Sequence, residues 1–126
     1  MKKANTKREG IVLLVCGGRE YDNFTYAFIV LDDIAKDHGP IDLLVHGGAR
    51  GADEAARAWA SSRNVKHKAY LAQWGRYGRS AGIVRNIRML DDSKPDLVVA
   101  FPGNQGTTHM KNIARKAGVE VMEISL

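Results

Sequence analysis

Short apolar runs alternate with amphipathic segments along the whole chain. Five of these runs are rich in β-branched or large apolar residues and predict strands. They cover residues 11–15, 42–46, 65–70, 97–101 and 120–124. Runs such as LLV and LVVAF are continuously apolar, which is typical of strands that are buried on both faces of a parallel sheet.

Between most of the predicted strands, apolar residues recur at the three- and four-residue spacing of an amphipathic helix. The predicted helices cover residues 24–38, 52–63, 80–91 and 107–117. In the second of them, Trp59 lies among alanines at helical spacing and is predicted to belong to the core. In the third, Ile83, Ile87 and Leu90 share one face, which is the predicted apolar face. The residues of that helix that point elsewhere are Arg85, Asn86 and Met89.

The alternation of strands and helices predicts parallel βαβ units, and right-handed crossovers then place helices on both faces of one open sheet. We therefore expect an α/β fold of the Rossmann-like, doubly wound kind, with a mostly parallel five-stranded sheet. Residues 10–126 would form this single domain. Such sheets bind ligands beyond the carboxyl ends of their strands, so the residues that follow strands are the candidate site.

Glycine-rich segments follow the first two predicted strands. The first contributes Gly17, Gly18 and Arg19. The second, at the start of a helix, contributes Gly47, Gly48, Arg50, Gly51 and Asp53. Glycines let the backbone approach a ligand closely, and free N–H groups at a helix start favour an anion. Asp53 has two interpretations: a first-turn carboxylate that complements the helix dipole, or an acceptor for ribose hydroxyls.

A third glycine-rich loop follows the fourth predicted strand and has the pattern of a phosphate cradle. Its candidate ligand-binding residues are Pro102, Gly103, Gly106, Thr107 and Thr108. The glycines leave room for a phosphate group, and the Thr107 hydroxyl can donate to it. Three such loops at one edge of a sheet are a stronger signal than any one of them.

The helix over residues 80–91 adds Arg85 and Asn86 to the candidate ligand-binding residues. Arg85 is either an ordinary surface arginine or a guanidinium directed into the phosphate site. Trp74 and Tyr77 precede this helix and, with the glycines beside them, predict a loop that lies over a base.

Composition and charge limit the classes of protein to which this chain can belong. The 126 residues carry a formal net charge of +5, which favours anionic partners, and positions 1–9 are expected to form a flexible basic tail. The apolar run that follows is shorter than the ~7–15 residues of a secretory signal, and no run approaches the ~18 residues of a membrane span. The single cysteine fits a cytoplasmic protein. Neither metal-ligand spacing nor a serine nucleophile elbow is present.

Four motifs occur in a fixed order: CGGREY, HGGARGAD, AQWGRYGRSAGIVRNIRML and AFPGNQGTTHM. Together they resemble the YspA/cpYpsA-related branch of the SLOG superfamily over nearly the whole chain. That superfamily includes the LOG-type phosphoribohydrolases, which cleave the N-glycosidic bond of nucleoside monophosphates, and DprA, which loads single-stranded DNA. The resemblance implies a site for nucleotides or nucleotide-derived ligands. It also implies a role in sensing or processing nucleotide signals, often in phage or mobile-element settings.

LOG-type enzymes carry the pattern P-G-G-x-G-T-x-x-E, whose Glu acts in cleavage together with an Arg from an R-K-x-x-M helix. The matching residues here are Pro102, Gly103, Gly106, Thr107, Arg85 and Met89, and the departures are Asn104, Asn86 and Met110. Met110 takes the place of the Glu, and a thioether neither moves a proton nor stabilises an oxocarbenium ion. The resemblance therefore implies the cradle without the LOG chemistry. Asp53 is the best substitute carboxylate, followed by Glu20.

Three functions follow from the sequence as alternatives. The first is binding of a nucleotide-type small molecule, with charge from Arg19, Arg50 and Arg85. The second is N-glycosidic hydrolysis of nucleotides, with Arg85 and Asp53 as catalytic residues. The third, less favoured, is binding of single-stranded DNA with the help of the basic tail. We expect a homodimer or higher homo-oligomer, and neither a cofactor nor a membrane association.

Overall fold

The computed structural model describes residues 10–125, so the basic tail expected at positions 1–9 lies outside the described residues. The strands are β1 Ile11–Cys16, β2 Ile41–His46, β3 His67–Ala69, β4 Leu97–Ala100 and β5 Glu120–Glu123. The α-helices are α1 Phe24–Asp37, α2 Ala52–Ser62, α3 Trp74–Tyr77, α4 Ala81–Ser93 and α5 Gln105–Lys116. Among the described helices, none has the length and apolar character needed to cross a membrane.

All five strands are parallel and lie in the order β3-β2-β1-β4-β5, which confirms the predicted Rossmann-like α/β arrangement. The central strand β1 pairs with β2 on one side and with β4 on the other. The register places Cys16 beside Ala100, so the carboxyl ends of β1 and β4 are level. Because the strand order reverses at β1, the crevice between these two ends is where such a sheet binds its ligand.

Alternate residues of the central strands supply an apolar layer to each face of the sheet. On one face, Leu13 and Val15 belong to a core that includes the buried residues of α1 and α2. On the other face, Leu14 packs in a second core with residues of α4 and α5. The helices therefore cover both faces, as expected for a doubly wound sheet buried on both sides.

The predicted core position of Trp59 is confirmed, because its side chain is fully buried between α2 and the sheet. Its indole Nε1 donates to the Asp32 carboxylate of α1 at 2.8 Å. Arg63 donates two further hydrogen bonds to the same carboxylate, each 2.9 Å long. The polar end of a large apolar side chain is thus satisfied, and the two helices on this face are joined.

The apolar face predicted for the helix over residues 80–91 is confirmed for Leu90 and wrong for Ile83 and Ile87. Ile83 and Ile87 of α4 are 50% and 45% exposed, whereas Asn86 and Met89 are buried together with Leu90. In this orientation the Asn86 amide has hydrogen-bond partners for both its oxygen and its NH2 group. A buried polar side chain is tolerated once its groups are paired, and such pairing is invisible to apolar periodicity.

The segment before α4 also differs from the prediction. It contains α3 and a 3-10 turn at Gly78–Ser80, where the sequence predicts a loop, and β3 is shorter than the predicted strand. Tyr70 follows β3 with a buried ring, and its hydroxyl donates to the Asp92 carboxylate of α4. This bond attaches the edge of the sheet to the helix that carries Arg85.

Candidate functional site

A cavity of about 1200 Å³ opens at the carboxyl ends of β1 and β4. The loops after β1, β2 and β4 and the first turns of α4 and α5 surround it. Hydrogen bonds join the loops: the Gly18 N–H donates to the Pro102 carbonyl at 2.9 Å, and the Ala52 N–H donates to the Gly18 carbonyl at 3.1 Å. The three loops that the sequence predicts to converge therefore meet at the switch in strand order.

Glycines at the contact points allow the loops to approach this closely. Gly51 has a φ of 80°, and a Cβ there would lie 2.3 Å from the Gly18 carbonyl oxygen. A Cβ on Gly103 would lie 2.1 Å from the Thr107 hydroxyl oxygen. Neither position therefore has room for a side chain. At Gly51 the missing side chain allows the loops after β1 and β2 to come together.

The loop before α2 already holds an anion that belongs to the protein. The Asp53 carboxylate, 7% exposed, accepts a hydrogen bond from the Ala49 N–H at 3.2 Å. The Gly48 N–H donates to Nδ1 of His46 at 3.0 Å. Two amides of this loop are therefore bonded internally, although the sequence predicts that the loop offers its amides to phosphate. A carboxylate in the first helical turn also complements the dipole of α2.

The Asp53 carboxyl lies in the wall of the cavity and has an unusual ionisation. Burial raises the pKa of Asp53 to about 6, while the Ala49 N–H and the charge of Arg85 oppose the rise. A group that exchanges protons near neutral pH therefore lines the cavity. Burial, followed by the charge of Asp53, raises the pKa of the neighbouring Cys16 thiol to about 12, which leaves no thiolate nucleophile there.

Arg85 is fixed in place by hydrogen bonds to its neighbours. Its Nη1 donates to the Gly47 carbonyl at 2.8 Å, and its Nε donates to the Asn86 side-chain oxygen at 2.9 Å. A Cβ on Gly47 would lie 2.3 Å from this Nη1, so the glycine makes room for the guanidinium. Burial lowers the pKa of Arg85 and Asp53 raises it, but an arginine stays charged. Its Nη2 group takes part in neither of these bonds and can donate to an anion in the cavity.

Asn86 connects Arg85 to the first turns of α5. Its oxygen accepts from a guanidinium, which cannot itself accept, so the orientation of the amide is determined. The NH2 group then donates to the Gly106 carbonyl at 3.2 Å and lies 3.1 Å from Nδ1 of His109. This Nδ1 is therefore the acceptor, and the proton of the neutral ring is on Nε2. Because His109 lines the cavity, its Nε2–H is a donor of the site.

The first turn of α5 differs from that of α2, because it contains no acidic residue. The side chain of Asn104, which precedes the helix, makes no capping hydrogen bond. Gly103, Gly106 and Thr107 line the cavity, and a helix start of this kind favours an anion. We call residues 103–107 the α5 cradle. Met110, one turn further on, is buried in the core and does not line the cavity.

Most of the site residues predicted from the sequence lie together. Eleven of them line the large cavity: Gly17, Gly18, Arg19, Gly47, Asp53, Arg85, Asn86, Pro102, Gly103, Gly106 and Thr107. Gly48 and Arg50 line a smaller cavity of about 350 Å³ beside it. Gly51 and Thr108 line neither cavity. No group of three or more His, Cys, Asp and Glu side chains within residues 10–125 is placed to hold a metal ion.

Sequence reasoning missed part of the wall. Tyr21 and Tyr26 line the cavity together with Trp74. Of the two residues in the loop predicted to lie over a base, Trp74 thus lines the cavity, whereas Tyr77 lines neither cavity. The guanidinium of Arg19 lies 5.6 Å from the centre of the Trp74 ring. The tyrosine in CGGREY was a signal in the sequence, whereas His109 gave none, because its role depends on the orientation of a distant amide.

Two comparisons with known proteins bear on this site. A family model described as the YspA, cpYpsA-related SLOG family matches residues 11–77, from β1 through α3. The chain is also 36% identical over 118 residues to the Gene 61 protein of Mycobacterium phage D29. That alignment covers 87% of this chain and 93% of the phage protein.

We expect Asp53 and His46 to change the stability of the protein in opposite directions with pH. Burial, followed by the nearby charge of His67, lowers the pKa of His46 to about 4. The Asp53 contribution is complete below its ordinary pKa of 3.8 and is lost as the pH rises to about 6. The His46 contribution is complete above its ordinary pKa of 6.5 and is lost as the pH falls to about 4.

Urea unfolding between about pH 4 and 7 measures both contributions, each of about 3 kcal/mol. As the pH rises, the free energy of unfolding of the wild type falls relative to that of Asp53→Asn. Relative to that of His46→Gln, it rises. Parallel curves for the wild type and both variants would contradict these assignments.

We also expect neutral His109 to carry its proton on Nε2. Nitrogen-15 NMR of the ring in mildly alkaline solution distinguishes the two tautomers. Asn86→Asp replaces the NH2 donor with a carboxylate acceptor, so the proton moves to Nδ1. Asn112→Asp, an exposed change on the same helix, leaves the tautomer unchanged. A wild-type ring protonated on Nδ1 would show that the hydrogen-bond chain is incorrect.

Proposed function

Because the chain belongs to the YspA, cpYpsA-related SLOG family, we propose that it binds the phosphate of a nucleotide or nucleotide-derived ligand at the α5 cradle. Membership of this family supports nucleotide-related binding or processing in general. The geometry of the site supports the location. The main observation that supports the α5 cradle as the phosphate site is a contrast between two helix starts. Asp53 occupies the start of α2, whereas the start of α5 contains no acidic residue.

The groups around the α5 cradle suit a phosphate. The backbone N–H groups in the first turn of α5 and the Thr107 hydroxyl supply hydrogen-bond donors to the phosphate. Arg85 adds a planar guanidinium, whose Nη2 group can donate to phosphate oxygens. His109 adds an Nε2–H donor beside it. These groups come from two helices that Asn86 joins by hydrogen bonds, so their spacing is set before a ligand arrives.

The rest of the cavity suits a nucleoside. Its volume of about 1200 Å³ is far larger than a phosphate group needs. Tyr26 and Trp74 supply aromatic surface on which a base can stack. Asp53 supplies an acceptor for ribose hydroxyls, which is the second interpretation of this residue and is compatible with its internal hydrogen bond.

We expect Arg85→Gln to weaken binding of adenosine 5′-monophosphate by about tenfold or more, because a charge-assisted contact to phosphate contributes roughly 1.5–3 kcal/mol. Isothermal titration calorimetry measures the affinity, and circular dichroism confirms that the variant is folded. Arg57→Gln is the matched control, because Arg57 is exposed on α2 and lies outside the cavity. Unchanged affinity in a folded Arg85→Gln variant would rule out this role.

One observation favours N-glycosidic hydrolysis as a second candidate function. The Asp53 carboxyl has a pKa of about 6, close to the value that suits general acid–base catalysis at neutral pH, and it lies beside Arg85. Met110 is buried in the core and supplies no such group. Glu20 lines the cavity too, but its carboxylate is highly exposed and pairs with Arg50 at 2.9 Å. Asp53 is therefore the preferred catalytic residue if the protein cleaves its ligand.

Hydrolysis predicts that free base and ribose phosphate accumulate when the protein is incubated with nucleoside monophosphates. Mass spectrometry of the mixture detects both products. Asp53→Asn retains the shape of the side chain and removes proton exchange, so product release should fall by about a hundredfold or more. Glu54→Gln, at an exposed position next to it, serves as the control. Intact nucleotides throughout would leave binding as the function.

The remaining expectations from the sequence stay predictions. Binding of single-stranded DNA rested on the resemblance to DprA and on the basic tail at positions 1–9, which lies outside the described residues. A cytoplasmic location and homo-oligomer formation stay predictions as well. The exposed Ile83 and Ile87 are the apolar surface that a second copy would cover, and the molar mass in solution would test it. The phage relative supports a phage setting for this family member.

A further inference from the structure

A second cavity of about 350 Å³ lies beside the large one and shares Arg85 with it. Its charged lining residues are Arg19, Arg50 and Arg85. The described residues that line it include no carboxylate, whereas those of the large cavity include Glu20, Asp22 and Asp53. We call it the three-arginine cavity. Its size is near the lower end of the ~300–1,000 Å³ of ligand pockets, so it suits one group of a larger ligand.

The carboxylates nearest to these arginines, Asp53 beside Arg85 and Glu20 paired with Arg50, line the large cavity and not this one. The positive charge of Arg19 acts against that of Arg85, and both contribute to the same small space. Arg50 pairs with Glu20 at 2.9 Å, but 68% of the Arg50 side chain and 90% of the Glu20 side chain are exposed. Exposed ion pairs contribute little to stability. An anion that enters the cavity can therefore replace Glu20 as the partner of Arg50 with little loss of free energy.

The two cavities are close enough to be filled by one ligand. Arg85 lines both of them, and Asn86 joins its Nε, at 2.9 Å, to the Gly106 carbonyl of the α5 cradle, at 3.2 Å. A single amide side chain thus separates the guanidinium from the place proposed for the first phosphate. Two phosphates that share a bridging oxygen are separated by a similarly short distance, so one could lie at each place.

We propose that the three-arginine cavity binds the second phosphate of a nucleoside diphosphate, with Arg85 between the two phosphates. The inference rests on the proposed function, and it narrows the ligand from nucleotides in general to those with a diphosphate. The forked guanidinium of arginine matches phosphate oxygens in pairs, and two of the three arginines come from loops that also border the large cavity. Trp74, beneath Arg19, closes one side of the cavity.

Calorimetric titration with adenosine 5′-diphosphate and adenosine 5′-monophosphate tests the proposal, in metal-free buffer of constant ionic strength. We expect the diphosphate to bind the wild type about tenfold more tightly than the monophosphate. Arg50→Gln should weaken binding of the diphosphate far more than binding of the monophosphate and so remove most of this preference. Arg76→Gln removes the same charge from an exposed position outside both cavities, so it should keep the preference.

The outcomes separate this inference from the function on which it rests. Equal affinities of the wild type for the two nucleotides would overturn the second phosphate site and leave nucleotide binding intact. An Arg50→Gln variant that keeps the preference would overturn it too, as would an equal loss of preference in Arg76→Gln, which would indicate a general charge effect. Failure of both nucleotides to bind would overturn the proposed function itself.

Discussion

The buried carboxylate of Asp53 at the start of α2 is the constraint on which the rest of the site depends. A carboxylate removed from water is unfavourable unless amides and positive charges stabilise it. The Ala49 N–H and Arg85 supply that stabilisation only in part, because the pKa of Asp53 still rises to about 6. Arg85 in turn needs the Gly47 carbonyl and Asn86 to hold its guanidinium at the boundary of the two cavities. Asn86 then determines the tautomer of His109 and reaches the α5 cradle.

This chain of contacts explains why two glycine-rich loops that look alike in the sequence have different roles. Each follows a central strand and precedes a helix, and each was a candidate for phosphate. At α2 the protein supplies its own anion, so two amides of the loop are bonded internally and its Gly47 carbonyl positions Arg85. At α5 the first turn has no acidic residue, and its donors face a cavity lined by arginines. Two glycine-rich loops at equivalent strand ends therefore differ in role, and the side chain that distinguishes them is Asp53.

The fold was predictable from the sequence because it depends on apolar runs, and strands buried on both faces are long apolar runs by necessity. The convergence of the three loops was predictable for the same reason, since parallel strands bring their carboxyl ends to one edge. The orientation of α4 was not, because Asn86 is buried by its hydrogen bonds while Ile83 and Ile87 remain exposed. His109 was not predictable either, since its donor atom follows from an amide on another helix. Periodicity reports apolar burial, and this site is assembled from polar contacts.

The replacement of the LOG-type Glu by Met110 has a physical consequence beyond the loss of a catalytic group. Met110 fills the core beneath the α5 cradle, so position 110 presents a neutral, buried side chain. A carboxylate one turn from the cradle would repel a bound phosphate and offset the dipole of α5, and a thioether does neither. Met110 therefore adds no negative charge next to the phosphate proposed for the α5 cradle. If the protein also cleaves that ligand, the only buried carboxyl among the described residues of the cavity wall is Asp53 on α2. The proton would then be transferred from the α2 side of the cavity, opposite to the LOG-type pattern, while the phosphate would be held on the α5 side as proposed.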